Sequence, residues 1–162
     1  MKELSPYEIV EAVIHVEERG KEFYASAAAL AHDAKTKSML LFLAGQEQIH
    51  ATVFRRILAT AKFKPYEDSP EGEYAAFFRT VAREYVFTAE RIAEAVRKGF
   101  ASLDAALVFA LSIEEDSVKT YRALREGIDG DASALDAVIK EEEQHCVTIA
   151  ALRSESAKRS IP

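Results

Sequence analysis

Four stretches of this chain put a carboxylate where an amphipathic helix should present only apolar side chains: Val16-Glu17-Glu18-Arg19-Gly20, Glu47-Gln48-Ile49-His50, Ile113-Glu114-Glu115-Asp116-Ser117 and Glu142-Glu143-Gln144-His145. Stepping by three and four residues from Glu17 gives Val10, Val13, Gly20, Tyr24, Ala27 and Ala28, an apolar or small stripe. The same stepping from Glu18 gives Glu11, His15 and Glu22, a solvated face. Glu47 falls among Leu40, Leu43, Ala44, Ala51, Phe54 and Leu58. Glu114 falls among Leu107, Ala110, Leu111, Ser117, Val118, Tyr121 and Leu124, with Glu115 on the wet side. Glu142 follows Leu135 and Val138 and precedes Cys146 and Ile149. His50 and His145 each stand three residues after a stripe glutamate, so imidazole and carboxylate reach the same point. Glutamate is rarely buried unless it is paired or ligated. Four helices that each bury such a group at mid-height therefore point to one shared site inside a four-helix bundle.

The rest of the chain agrees with an all-α domain. At 162 residues it is one domain with a sizeable core, and only six Gly and four Pro interrupt it. No alternating strand pattern bounded by turn residues is visible. Helix one is expected from about Ser5 to Ala31, opened by a capping box, Ser5-Pro6-Tyr7-Glu8. Helix two is expected from about Asp33 to Ala61, helix three from Ser102-Leu103-Asp104 to near Gly127, and helix four from about Asp131 to Ser154, with a frayed polar tail. Residues 62–101 form a 40-residue connector. Its first part, through Pro65 and Pro70, breaks the helix, and from about Glu71 to Lys98 it turns helical again, with Gly99 as a stop. A long structureless loop is unusual in a compact domain, so the connector reads as a crossover laid against the bundle with its own helix.

The two halves repeat. Glu17 has Gly at +3 and Tyr at +7, while Glu114 has Ser at +3 and Tyr at +7. Each is followed on the next long helix by Glu-x-x-His, after 30 residues in one half and 28 in the other. This is a pseudo-twofold repeat of a helical hairpin.

Four carboxylates and two imidazoles suit two divalent first-row metal ions, because carboxylates bridge and neutralise charge and imidazole suits iron among others. Without metal the carboxylates would repel one another and take up protons. The residues Glu17-Glu18-Arg19-Gly20-Lys21-Glu22-Phe23-Tyr24 resemble the first-helix signature E-x-x-G-x-x-F-Y of the rubrerythrin group, within the ferritin-like di-iron carboxylate superfamily. The resemblance covers the four long helices. It implies a ferritin-like four-helix bundle with a long helical crossover between helices two and three. It implies two iron ions, with manganese or a mixed pair as alternatives, held by Glu17 and Glu114 as terminal ligands, Glu47 and Glu142 as bridges, and His50 and His145 as one imidazole per metal. The activity it implies is di-iron redox chemistry, in which ferrous iron reacts with peroxide or dioxygen. Two features depart from full-length rubrerythrins. Cys146 is the sole cysteine, so a Cys₄ rubredoxin iron cannot form and electrons must come from a separate donor protein. Leu111 and Ser117 flank Glu114 where a second glutamate would stand, leaving a six-ligand set nearer to bacterioferritin-type centres.

Three functions compete: a peroxidase or oxidase, a ferroxidase that handles Fe(II) as substrate, and a non-catalytic metal-dependent bundle. Tyr24 and Tyr121, two turns from a ligand on the same face, are candidates to bond the carboxylates. Cys146 reads as an inert buried thiol, and His15 and His32 as solvated. The net charge of −6, with Lys and Arg spread along the chain, offers no basic patch for nucleic acid or membrane. No secretory leader or spanning stretch is apparent, so a cytoplasmic protein is expected. The connector breaks the usual ferritin pattern, so a homodimer rather than a storage cage is expected.

Overall fold

The computed structural model describes residues 5–63, Tyr85 and 88–159. Five helices carry the architecture: α1 (Pro6–Ala28), α2 (Ala34–Thr60), α3 (Thr88–Lys98), α4 (Leu103–Gly127) and α5 (Ser133–Arg159). Two short strands, β1 (Lys62–Phe63) and β2 (Ile128–Asp129), pair antiparallel with Lys62 opposite Asp129 and Phe63 opposite Ile128.

The helices begin where their caps dictate. Ser5 Oγ accepts the Glu8 amide at 3.2 Å, and the Glu8 carboxylate accepts the Ser5 amide at 2.7 Å. This is the expected capping box, and it satisfies two backbone donors that the first turn leaves open. Asp33 caps α2 through the Thr36 amide at 2.9 Å, and Ser102 caps α4 through the Ala105 amide at 3.1 Å.

Two helix ends differ from the sequence expectation. Helix α1 stops at Ala28, three residues before Ala31. The amides of Ala29, Leu30 and Ala31 bond to carbonyls three residues back, on Ser26, Ala27 and Ala28, which tightens the turn towards Asp33. Helix α5 starts at Ser133, where the Asp131 carboxylate takes the amide at 2.9 Å, and it runs on past Ser154 to Arg159. Of the tail expected to fray from Ser154 to Pro162, the described part, through Arg159, is helical and tied down. Leu152 is buried, Arg159 reaches Asp33 at 2.7 Å, and Lys35 reaches Glu155 at 3.2 Å.

The bundle is built from two helical hairpins, α1 with α2 and α4 with α5, closed by contacts of α2 with α5 and of α1 with α4. The two-strand ribbon joins the end of α2 to the turn between α4 and α5. That turn reverses through Gly130 at φ +95, a conformation that suits glycine. Helix α3 packs along α1, and Gly99 at φ +74 ends it as expected. Its buried residues are Thr88 and Ile92. The proline-bounded start of the connector and its helical reading before Thr88 lie outside the described residues, apart from Tyr85. The core gathers Leu40, Leu43, Phe54, Leu107, Leu124 and Ile149 around the bundle axis, and the anomalous polar groups sit among them. No helix among the described residues is long and apolar enough to cross a membrane.

Candidate metal centre

All six side chains singled out from the stripe pattern are buried: Glu17, Glu47, His50, Glu114, Glu142 and His145 are each 5% exposed or less. Helices α1 and α4 contribute one carboxylate each, and α2 and α5 each contribute a glutamate with a histidine one turn on. The six form two overlapping groups. Glu17, Glu47, His50 and Glu142 make one, and Glu47, Glu114, Glu142 and His145 make the other. Within each group one ligand-type atom per residue lies within 4.8 Å of all the others. Glu47 and Glu142 belong to both. His15 and His32 lie on the surface, as their off-stripe positions require.

Both imidazoles turn Nδ1 inward. His50 Nδ1 is 2.8 Å from Glu142 Oε1 and 3.5 Å from Glu17 Oε2. His145 Nδ1 is 3.2 Å from Glu142 Oε2, 3.3 Å from Glu47 Oε1 and 3.6 Å from Glu114 Oε2. The rings stack with centroids 5.4 Å apart.

The electrostatics show what the cluster costs on its own. Burial pushes Glu142 up to about 8, and the charges of Glu114 and Glu17 add to the rise. Burial, then Glu17, Glu114 and Glu142, also raise Glu47 well above the usual carboxylate range. Burial works to lower His50, but hydrogen bonding and charge from Glu142 and Glu17 outweigh it and raise it to about 11. His145 is raised in the same way by Glu114, Glu142 and Glu47 against the effect of burial. Glu114 is pulled down despite its burial, by its contacts with Glu142, His145 and Tyr24. Without metal, the cluster therefore favours protons on both imidazoles and on Glu47 and Glu142.

Protons do not satisfy the geometry. Although several of these groups lie at ion-pair distance, the buried side-chain polar atoms without a well-aligned hydrogen bond among the described residues are Glu17 Oε2, Glu47 Oε1, both oxygens of Glu142, His50 Nδ1 and both ring nitrogens of His145. All belong to this cluster. Buried polar atoms are almost always partnered, and a set left open in one place fits cations held between them. Oxygen and imidazole donors in these numbers fit two first-row divalent ions.

The surroundings hold the donors in place. Tyr24 on α1 donates to Glu114 on α4, and Tyr121 on α4 donates to Glu17 on α1, so the pseudo-twofold relation extends to the tyrosines. Burial raises both phenols well above their ordinary value, so they stay protonated and act as donors. Gly20 faces Glu47: a Cβ placed there would lie 2.7 Å from Glu47 Oε2. A narrow cavity opens beside the cluster, lined by Gly20, Phe23, Glu47, Ile92, Phe109 and Ile113. Cys146 is half-buried, and burial followed by the charges of Glu114, Glu115 and Glu142 pushes its thiol up to about 11, which makes it a poor nucleophile.

Two contributors were not anticipated from the sequence. Tyr85, from the connector, places its hydroxyl 3.0 Å from both Ser117 Oγ and the Tyr121 hydroxyl. Nothing in the local sequence signals this, because a contact with a helix more than 30 residues away decides it. Glu141 reaches His50 Nε2 at 2.7 Å across the α2–α5 contact. Its position four residues before His145, on the face turned to α2, was the available signal.

An all-α bundle with paired Glu-x-x-His helices around buried carboxylates is the ferritin-like arrangement. No protein-family model matches the chain, and no curated protein sequence matches it. Among solved structures, a Thermotoga maritima protein described as a ferritin-like diiron-carboxylate protein is similar. The match has a TM-score of 0.70 and 25% identity, over 96% of this chain and 99% of that one. The chain therefore has the ferritin-like diiron-carboxylate fold, with a carboxylate–histidine cluster able to hold metal at its centre.

Proposed function

We propose that the chain is a rubrerythrin-type di-iron redox protein that reduces peroxide or dioxygen with electrons from a separate donor protein. Glu17, Glu47, His50 and Glu142 would hold one iron, and Glu47, Glu114, Glu142 and His145 the other, with Glu47 and Glu142 bridging. The observation that carries this reading is the overlap of two ligand groups through two shared carboxylates, in the place where the open buried polar atoms collect. Manganese would fit the same donors.

A bound pair of ferrous ions would supply the two electrons needed to reduce hydrogen peroxide, with two protons, to two waters. The chain's own residues set the conditions. Tyr24 and Tyr121 fix the outer carboxylates on α4 and α1. The apolar walls of the narrow cavity, Phe23, Ile92, Phe109 and Ile113, keep bulk water out and admit only a small substrate. Exposed Leu41, Phe42 and Ile49 on α2 support a homodimer, which native mass spectrometry checks.

Oxidation of Fe(II) as the substrate itself is the second reading. It is favoured by Ser117, which stands at +3 from Glu114 and bonds to Tyr85 rather than offering a further carboxylate. The test is to load the protein anaerobically with Fe(II) and compare oxidation by one equivalent of hydrogen peroxide with oxidation by dioxygen, following near-ultraviolet absorbance. Faster reaction with peroxide is expected. Faster reaction with dioxygen would favour the ferroxidase reading, and no absorbance change with either would overturn the redox function.

A further inference from the structure

The pseudo-twofold symmetry that matches Glu17 with Glu114, Glu47 with Glu142 and His50 with His145 fails one layer out. Glu141 stands four residues before His145, and its counterpart, four residues before His50, is Gln46. Glu141 Oε2 lies 2.7 Å from Nε2 of the fully buried His50. The Nε2 of His145 is buried with no hydrogen-bond partner among the described residues.

The two imidazoles therefore face metal under different conditions. A carboxylate on Nε2 keeps the proton on that nitrogen, leaves the Nδ1 lone pair aimed at Glu17 and Glu142, and makes the ring a stronger donor. For His145, turning Nδ1 to a metal leaves a buried N–H unpaired, which is unfavourable. We infer that Glu141 is a positioning residue that makes the His50 side of the centre bind a divalent transition-metal ion more tightly than the His145 side. This rests on the two-metal reading above. Its consequence is ordered loading, with the ion held by Glu17, Glu47, His50 and Glu142 bound first.

The test titrates metal-free protein anaerobically with Co(II), followed by calorimetry and visible absorbance. Two resolved steps are expected, differing by about tenfold or more. Glu141→Ala should weaken the tighter step by about 10- to 100-fold, as loss of such a partner does in other metal sites, and leave the weaker step in place. Glu141 is half-exposed, so its removal should not unfold the chain. Gln46→Glu supplies the missing carboxylate and should strengthen the weaker step, drawing the two together. That gain cannot come from misfolding. In the Zn(II)-loaded protein, nitrogen NMR should find His50 protonated at Nε2 and bound through Nδ1. Two equal steps in the parent protein, or an equal loss from both steps in Glu141→Ala, would overturn this inference alone. Uptake of fewer than two ions would overturn the two-metal reading and this inference with it.

Discussion

Gly20 and Glu47 occupy one space. A methyl group at position 20 would lie 2.7 Å from a Glu47 oxygen, and the buried carboxylate would have to yield. Gly20→Ala should gain up to about 1 kcal/mol of helix propensity and lose a comparable amount, about 1–3 kcal/mol, to crowding. The metal-free melting temperature should therefore change little, while metal affinity falls at least several-fold, as calorimetry would show. Shared and unshared ligands should also separate. Glu47→Ala or Glu142→Ala should lose both ions, and His50→Ala should mainly weaken one. Elemental analysis after desalting would check this, and two retained ions per chain in either glutamate variant would contradict the bridging assignment. At this scale the sequence was informative because burial of a carboxylate breaks an otherwise apolar stripe. That is how Glu17 stood out from Glu18 and Glu114 from Glu115. Glu141 was not legible in that way, because its side chain is half-exposed and only its reach to His50 on another helix gives it a role.

Helix α3 lies against α1 and places Ile92, 1% exposed, in the wall of the cavity beside the cluster. Ile92→Ala should destabilise the protein by about 2–5 kcal/mol, measurable by urea denaturation. It should also open the cavity to water. A change below about 1 kcal/mol would mean that the crossover is not packed as described. The helices themselves were legible from period, caps and the glycine at position 99. Their ends were less so. Helix α1 stops early because three consecutive amides bond three residues back, and α5 runs on because Arg159 and Glu155 find partners at the start of α2. Both outcomes depend on a neighbouring element that local pattern does not contain. The β1–β2 ribbon is not legible for the same reason, since two residues paired with two distant ones leave no periodic trace.

For the whole molecule, four buried carboxylates and two imidazoles tie stability to protons and to metal. Without metal, Glu142 holds its proton up to about 8 against an ordinary value of 4.5, and His50 holds its proton up to about 11 against 6.5. A proton held more tightly in the folded chain stabilises it fully below the ordinary value, and that contribution is lost as pH rises through the folded value. The Glu142 contribution should thus fade between about pH 4.5 and 8, and the His50 contribution between about 6.5 and 11. Metal-free protein should lose stability on the order of a few kcal/mol from pH 6 to pH 9, seen as a falling melting temperature in the presence of chelator. Metal-loaded protein should lose less, because the ions replace those protons. The central claim is that two metal ions sit between α1, α2, α4 and α5, sharing Glu47 and Glu142. The most direct measurement is an anomalous difference map at the iron edge from crystals of Fe(II)-loaded protein. Two peaks about 3.5–4 Å apart, both within bonding distance of Glu47 and Glu142, are expected. A single peak, or peaks away from these residues, would contradict it.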